Sequence, residues 1–506
     1  MHANPPASNG VNVVSELAAM DDRSWHKKPN LRALYMVLLP ACVGADMTAA
    51  FDVNLMDVLQ ATSSWQISNM IGLIVAMYSL GAMFSLPFVP LIADGCGRRA
   101  SIIFGCTVMF FGAMLQGASQ NLAMFIAARF MLGFGSPFSI IGSTSLIGEL
   151  SHPKERATMT SISLAFFGVG SILVAAISLG TCNMQSNWGW RIPSLLQATP
   201  SILQLPFVLF VPDSPRWLIS KGRTVEGYEI LVKYHGEGDP QSEFVKAEYA
   251  EIERTLGQTV TPTSWSILFS TPGMRKRAIL AAFLGLGVQW SGGGLIGSYL
   301  PRILAGIGIY DNTTKNRINL AVSCWGLLCA TTLALLATRF KRRTAFLTSG
   351  IALLLVMVGW TVATAEWTEL HNRGSAVAVV GFIFLFSPAY CMGFSLVYTY
   401  LTELFPFHVR SKGIVLHGWF SRTGGFFNQI VNPIGLQNTG WKYYISYCVF
   451  LSFQVGFIYF MFPETSSRTL EELAFLYEDG NKTPEKSCGD KTLSLALKSG
   501  VSQVAC

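Results

Sequence analysis

Twelve apolar runs, each about as long as a bilayer is thick, constrain this chain more than any other feature. They fall near 34–57, 68–91, 100–119, 121–145, 157–180 and 190–211, and again near 277–301, 317–338, 343–365, 375–402, 412–434 and 440–462. A helix of roughly 20 apolar residues crosses the hydrocarbon core of a membrane. Inside that core a lone segment can satisfy its own backbone N–H and C=O groups only as a helix. The expected fold is therefore an all-α integral membrane protein of twelve transmembrane helices in two six-helix halves, 34–211 and 277–462.

The residues between the runs set the rest of the plan. Charged residues make up only 13% of the 506, and hydrophobic ones 51%, whereas a soluble chain carries roughly a quarter charged. The net charge of +7 sits in short clusters between runs. No basic–aromatic stripe forms, so a nucleic acid is not an expected partner. The clusters mark alternate connections: Arg98-Arg99, Lys154 with Arg156, the stretch 212–276, Arg339 with Lys341-Arg342-Arg343, and Arg410 with Lys412. Loop 58–67 has no Lys or Arg, and loop 366–374 has one Arg against two Glu. The basic connections are cytoplasmic by the positive-inside rule. Both termini then face the cytoplasm, as a disordered tail over 1–33 and a second tail over 463–506. Residues 212–276 form a cytoplasmic linker, with short helices expected at Val225–Tyr234 and Glu243–Leu256.

The two halves echo each other. Asp94-Gly95-Cys96-Gly97-Arg98-Arg99 follows the second span, and Thr338-Arg339-Phe340-Lys341-Arg342-Arg343 follows the eighth. Glu149, Pro153 and Arg156 follow the fourth; Glu403, Pro406 and Arg410 follow the tenth. Two ordered matches point to an internal duplication. The ten cysteines are scattered without disulfide or metal spacing. No GxxxxGK[ST] loop and no hydrolytic or redox constellation is present, which argues against an ATP-driven pump and against an enzyme. No metal, cofactor or obligate protein partner is expected.

Three motifs go further. Asp94, Gly97, Arg98 and Arg99 make an Asp-x-x-Gly-Arg-Arg run after the second span. Pro212-Asp213-Ser214-Pro215-Arg216-Trp217-Leu218 follows the sixth, and Pro463-Glu464-Thr465 follows the twelfth. With these the chain resembles the sugar porter family of the major facilitator superfamily. Trp190-Arg191-Ile192-Pro193 with Gln197, Gln289-Trp290-Ser291-Gly292, and Phe427-Asn428-Gln429 with Asn432-Pro433 resemble its fungal lactose-permease-like branch. The resemblance runs from about residue 34 to 473. It implies secondary transport of a sugar or sugar-like solute by alternating access, in the plasma membrane or an internal one.

Charges at the ends of the spans are expected to gate the cytoplasmic side: Asp94, Arg98, Arg99, Glu149 and Arg156 in the first half, Arg339, Arg342, Glu403 and Arg410 in the second. A network of such pairs biases two nearly balanced states; the plainer reading is topology anchoring alone. Thr338 and Lys341 replace the Asp and Gly of the first-half motif, so the second network leans on Glu403 and Arg410.

Charges inside a span are costly and mark function. Asp52 lies late in the first span and Arg129 in the fourth. In the resemblance they match an Asp–Arg pair that proton-coupled members use. An adjacent Arg favours the ionised carboxylate, and its withdrawal in a dry cavity favours the protonated one. A purely structural ion pair is the alternative, and Asp46 and Asp57 are other possible carriers.

The solute is expected midway between the halves. The family's hydroxyl-binding positions fall here on Leu164, Gln289, Gly293-Gly294, Gly326 and Tyr398, so Gln289 is the clearest survivor. In the eleventh span Gly418, Arg422, Gly425, Gln429 and Asn432 recur at helical spacing and form one small-and-polar face. Arg422 is about 18 Å along a helix from Arg410, near the midplane, where it needs an anion, an internal carboxylate such as Asp46, or water. Gln289, Tyr398, Arg422 and Gln429 are the expected solute contacts, and a sugar acid or other carboxylate is favoured over a simple hexose. Asn312-Thr313-Thr314 is a glycosylation sequon in an outward loop. His417, near Arg422, reads as a packed side chain. Export of a fungal metabolite is the alternative within transport, and a non-transporting nutrient sensor the alternative of another class.

Overall fold

The computed structural model describes residues 25–62, 70–184, 186–258, 265–336, 340–405 and 409–465, with Val14, Leu17, Met20 and Arg23 besides. Arg339 and the tail beyond Thr465 lie outside the described residues, as does the side chain of Asp57. The described part is helical, with no strand. The first half comprises α1 (Pro29–Thr62), α2 (Ile71–Ser85), α3 (Val89–Gly95), α4 (Arg98–Gly117), α5 (Leu122–Leu150), α6 (Arg156–Thr181), α7 (Trp188–Leu196) and α8 (Ala198–Phe210). The linker folds as α9 (Pro215–Ser220), α10 (Thr224–Tyr234) and α11 (Glu243–Gln258). The second half comprises α12 (Pro272–Trp290), α13 (Gly293–Gly306), α14 (Asn312–Leu336), α15 (Arg342–Leu370), α16 (Arg373–Phe394), α17 (Val397–Leu404), α18 (Arg410–Thr439) and α19 (Tyr443–Met461).

Four of the twelve spans are broken into two helices, which the apolar runs alone did not show. The second span bends by 48° between α2 and α3, where Pro87 supplies no N–H to continue the ladder. The sixth is interrupted at Gln197, which ends α7 and begins α8. The seventh unwinds at Ser291-Gly292, with Gly292 at φ +101°, a left-handed conformation open to glycine. The tenth breaks at Ser395-Leu396. The stretch Lys412–Met461 is 50 residues long. As one helix it would measure about 75 Å, too long for one crossing, and the turn at Gly440–Lys442 divides it into α18 and α19.

Packing brings the functional helices together. Gly133 lets α5 touch α2 at the backbone: a Cβ there would lie 2.0 Å from the Tyr78 carbonyl oxygen. The halves meet along two seams, α2 against α18 and α6 against α14, and α13 lies against α1. At the face opposite the linker the halves are sealed. Ile74, Val75, Phe125 and Trp190 of the first half form one buried cluster with Tyr299 of the second. A Cβ on Gly72 would lie 2.8 Å from Pro433, and Thr313 donates to Asn183 across the α6–α14 seam at 3.3 Å.

The linker docks on the first half through polar groups. The Glu237 carboxylate accepts from the N–H groups of Asn30 (3.1 Å) and Leu31 (3.0 Å), capping α1, whose first N–H groups have no partner within the helix. His235 bonds the Glu248 carboxylate at 2.7 Å and the Leu150 carbonyl, at the end of α5, at 3.2 Å. The expected linker helices thus appear as α10 and α11, each a residue or two longer. α1 begins at Pro29 rather than 34.

Candidate functional site

Under the sealed face lies a buried ion pair. Arg129 of α5 donates through Nη1 to Asp52 Oδ1 of α1 at 2.5 Å and to the Asp52 carbonyl at 3.2 Å. Its Nε points to the Ile74 carbonyl of α2 at 3.5 Å. The two side chains are only 1% and 2% exposed. Two charges withdrawn this far from solvent persist only with good geometry and further hydrogen bonds. Gln197 supplies one, donating to Asp52 Oδ1 at 3.0 Å from the break between α7 and α8. Sequence reasoning noted Gln197 within a motif but gave it no role at this pair. Asp46, one alternative carrier, is buried and accepts from Ser163 Oγ at 3.1 Å.

Across the seam, the second half presents a polar surface built on α12 and α18. The Gln289 amide donates to Ser421 Oγ at 3.1 Å, and its backbone carbonyl accepts from the Asn428 amide at 2.8 Å. Ser79 of α2 donates to the Gln429 amide oxygen at 2.9 Å, so Gln429 joins the halves. Gly425 lies between these groups: a Cβ there would be 3.4 Å from Gln289 Oε1 and 3.5 Å from Ser79 Oγ. Arg422 interacts electrostatically with Asp52, Tyr78 and Tyr398. Among the described residues its guanidinium makes no hydrogen bond and no ion pair. Tyr398 is half exposed, with its ring edge-on to His417 at 5.9 Å. His417 is buried against the Ala281 carbonyl at 3.3 Å.

Open space adjoins the Arg422 face. Gly418 shares the Arg422 face, yet a Cβ there would meet nothing within 4 Å. The same is true of Gly326, although Asn319, Val322 and Cys329 on its face of α14 are buried. One residue of the expected lining leaves it. Asn432 is wholly buried, and its amide oxygen accepts from Tyr443 (2.9 Å) and Tyr447 (2.5 Å) of the last span.

At the linker face the charged motifs form one cluster per half. Arg98 holds Glu149 through Nε (3.0 Å) and Nη2 (3.2 Å), and Asp94 through Nη1 (3.1 Å). Arg342 holds Glu403 at 3.1 Å. Asp213 accepts from the Arg98 N–H at 3.1 Å, while Glu464 accepts from the N–H groups of Arg342 (3.0 Å) and Arg343 (3.2 Å). The acids of the Pro-Asp-Ser and Pro-Glu-Thr motifs therefore cap equivalent helices, α4 and α15. Sequence reasoning quoted these motifs without that role. Thr465 adds a bond to Glu403 at 2.6 Å. These pairs brace each half and do not bridge the two. Arg99 donates instead to the Leu209 carbonyl at 2.8 Å. Arg156 makes no salt bridge with Glu149 but interacts electrostatically with it, as it does with Arg216, Glu248 and Glu251 around the linker. Arg410 forms no ion pair with Glu403; Arg342 takes that place because it begins the helix facing the carboxylate.

Comparison with known proteins agrees with this architecture. The family model described as sugar (and other) transporter matches residues 44–477. The MFS-type transporter criB of Aspergillus cristatus is 28% identical over 428 residues, spanning 81% of this chain and 85% of that protein. The high-affinity glucose transporter of Kluyveromyces lactis is 26% identical over 487 residues, spanning 90% of this chain and 87% of that protein. The inward open structure of the xylose transporter XylE from E. coli superimposes with a TM-score of 0.72 at 18% identity, over 88% of this chain and 99% of that one, a likeness of fold. Twelve spans in two halves, paired motifs and a family match over most of its length establish that the chain belongs to the sugar transporter family of the major facilitator superfamily, as a multi-pass membrane carrier and not an enzyme.

Proposed function

We propose that this carrier moves a sugar-like solute bearing an anionic group, together with a proton, by alternating access. The observation that carries the reading is Arg422. It makes no hydrogen bond and no salt bridge among the described residues, with Asp52 only in electrostatic reach, and a guanidinium so placed costs about 2.5–3.5 kcal/mol at a helix centre. A solute carboxylate would offset that cost through paired, charge-assisted hydrogen bonds. Gln289, Ser421 and Tyr398 are then placed to meet hydroxyls. Relatives described as glucose, myo-inositol and polyol transporters support a hydroxylated solute.

Asp52 carries the proton in this reading. Arg129 and Gln197 favour its ionised form, and a shift of α1 against α5 within the first half that withdraws Arg129 favours protonation. A structural neighbour described as a proton:xylose symporter supports the coupling. The linker, both termini and the charged clusters then lie in the cytoplasm, and the sealed face is extracellular, in the plasma membrane. The charged clusters brace the helix ends of each half at the cytoplasmic gate.

Uptake into proteoliposomes with and without an inward proton gradient tests the reading, using neutral sugars, sugar acids and small organic acids. Gradient-driven accumulation of a sugar acid that Asp52→Asn abolishes is the expected result; accumulation indifferent to the gradient would refute coupling. The same topology makes Asn312, at the start of α14, an acceptor for an N-linked glycan. Asn312→Gln should raise the electrophoretic mobility of the protein made in a eukaryotic host, and unchanged mobility would remove that assignment.

A further inference from the structure

The break in the seventh span strands two carbonyls. Were the helix to run on, Val288 and Gln289 would accept from the N–H groups of Gly292 and Gly293. In the structure a side chain serves each. Tyr390 of α16 donates its hydroxyl to the Val288 carbonyl at 3.2 Å, and Asn428 of α18 donates its amide to the Gln289 carbonyl at 2.8 Å. A carbonyl inside a membrane protein without such a donor would be costly.

The two donors are themselves fixed. Asn428 accepts from the Tyr447 hydroxyl of α19 at 2.7 Å, so a strut runs from the twelfth span through the eleventh to the seventh. The Tyr390 ring lies flat along Phe386 and Phe394 and against Gly293, where a Cβ would come within 3.1 Å of it. Just past the end of α12, Ser291 donates to Gln454 at 3.0 Å. A cavity of about 40 Å³ lies beside the break, bordered by Val288, Ser291, Tyr390 and Gln454.

We propose that Asn428 and Tyr390 are positioning residues: they replace the two backbone bonds that the break removes and thereby hold Gln289 with its amide turned to the space between the halves. The proposal builds on the assignment of Gln289 as a solute contact. Its consequence is that α12 ends as a fixed platform on α18, while α13, beyond Gly292, is held separately through the Tyr299 hydroxyl on the Gln429 carbonyl at 2.8 Å.

Hydrogen exchange on the purified full-length protein tests the clamp without any solute. Tyr390→Phe removes one hydroxyl, and Asn428→Asp removes one donor while keeping the acceptor for Tyr447. In each, amides over 288–296 should exchange about tenfold faster, as loss of one buried hydrogen bond implies, with peptides of α4 and α5 unchanged. Unchanged exchange at 288–296 in both variants would overturn the proposal, as would acceleration spread evenly over the second half. Gradient-driven uptake of D-glucuronate supplies the second readout. Each variant should raise KM severalfold with Vmax within twofold, and add nothing in a Gln289→Ala background. Additive effects would also overturn the proposal. A protein that takes up no D-glucuronate would count against the transport reading alone, and the exchange result would still decide the clamp.

Discussion

Gly97 shows how much one residue carries at the linker face. Its φ is +103°, and a Cβ there would lie 2.3 Å from Asp213 Oδ2. That carboxylate caps α4 through the Arg98 N–H and also accepts from the Ser214 N–H at 2.8 Å, tying the third span to the start of the linker. Gly97→Ala should cost about 1–3 kcal/mol through backbone strain and a displaced cap. The check is a thermal midpoint several degrees lower in detergent; an unchanged midpoint would show that the motif glycine is dispensable. At this scale the sequence speaks clearly only where a residue is expensive. Asp52, Arg129 and Arg422 stand out because a charge in an apolar run costs energy wherever it points. Gln197, Ser79, Tyr390 and Asn428 are neutral, and a neutral polar group in a span can be satisfied by any neighbouring helix. Asn432 shows the same limit: periodicity put it on the Arg422 face, and two last-span hydroxyls bind it elsewhere.

Among the elements, the linker helices form a docking unit with its own titration. Burial works against a charge on His235, but the Glu248 carboxylate at 2.7 Å and the Leu150 carbonyl outweigh it, holding the imidazole above its ordinary value of 6.5. Burial likewise works against ionised Glu248, and His235 outweighs it, keeping that carboxyl below its ordinary 4.5. Arg156 and His152 face the same pair. A raised imidazole contributes stability that is complete below pH 6.5 and lost as pH rises through the elevated value; the carboxylate's share is complete above pH 4.5 and lost as pH falls through its lowered value. Linker docking should therefore be firmest in mildly acidic solution and weaken toward alkaline pH. Limited proteolysis of the linker across that range checks this: His235→Gln should flatten the alkaline rise in cleavage, and an identical pH profile in the variant would contradict it. The linker helices were legible in the sequence from composition and helical spacing. The span breaks were not, because a proline or glycine in an apolar run permits a break without requiring one; Pro301 lies within α13, whereas Gly292 sits in the break just before it.

For the whole molecule, the twelve spans, the duplication and the linker follow from hydropathy and charge asymmetry, since the bilayer imposes helix length and the motifs repeat. Which faces meet was not legible. The seams of α2 with α18 and α6 with α14 depend on shape, on close approaches such as Gly72 against Pro433, and on the Ser79–Gln429 bond. These seams place the Asp52–Arg129 pair in one half and Arg422 in the other, within electrostatic reach across the space between them. A proton and an anionic solute would thus each have a site in a different half, and a rocking motion would move the two sites relative to each other.

The measurement that tests this most directly is solute-induced proton movement in lightly buffered proteoliposomes, read as external alkalinisation on addition of D-glucuronate or D-glucose. The account predicts alkalinisation with the sugar acid, abolished by Asp52→Asn and reduced at least tenfold by Arg422→Gln, with little response to the neutral sugar. Equal alkalinisation by both sugars, unchanged in Arg422→Gln, would contradict it.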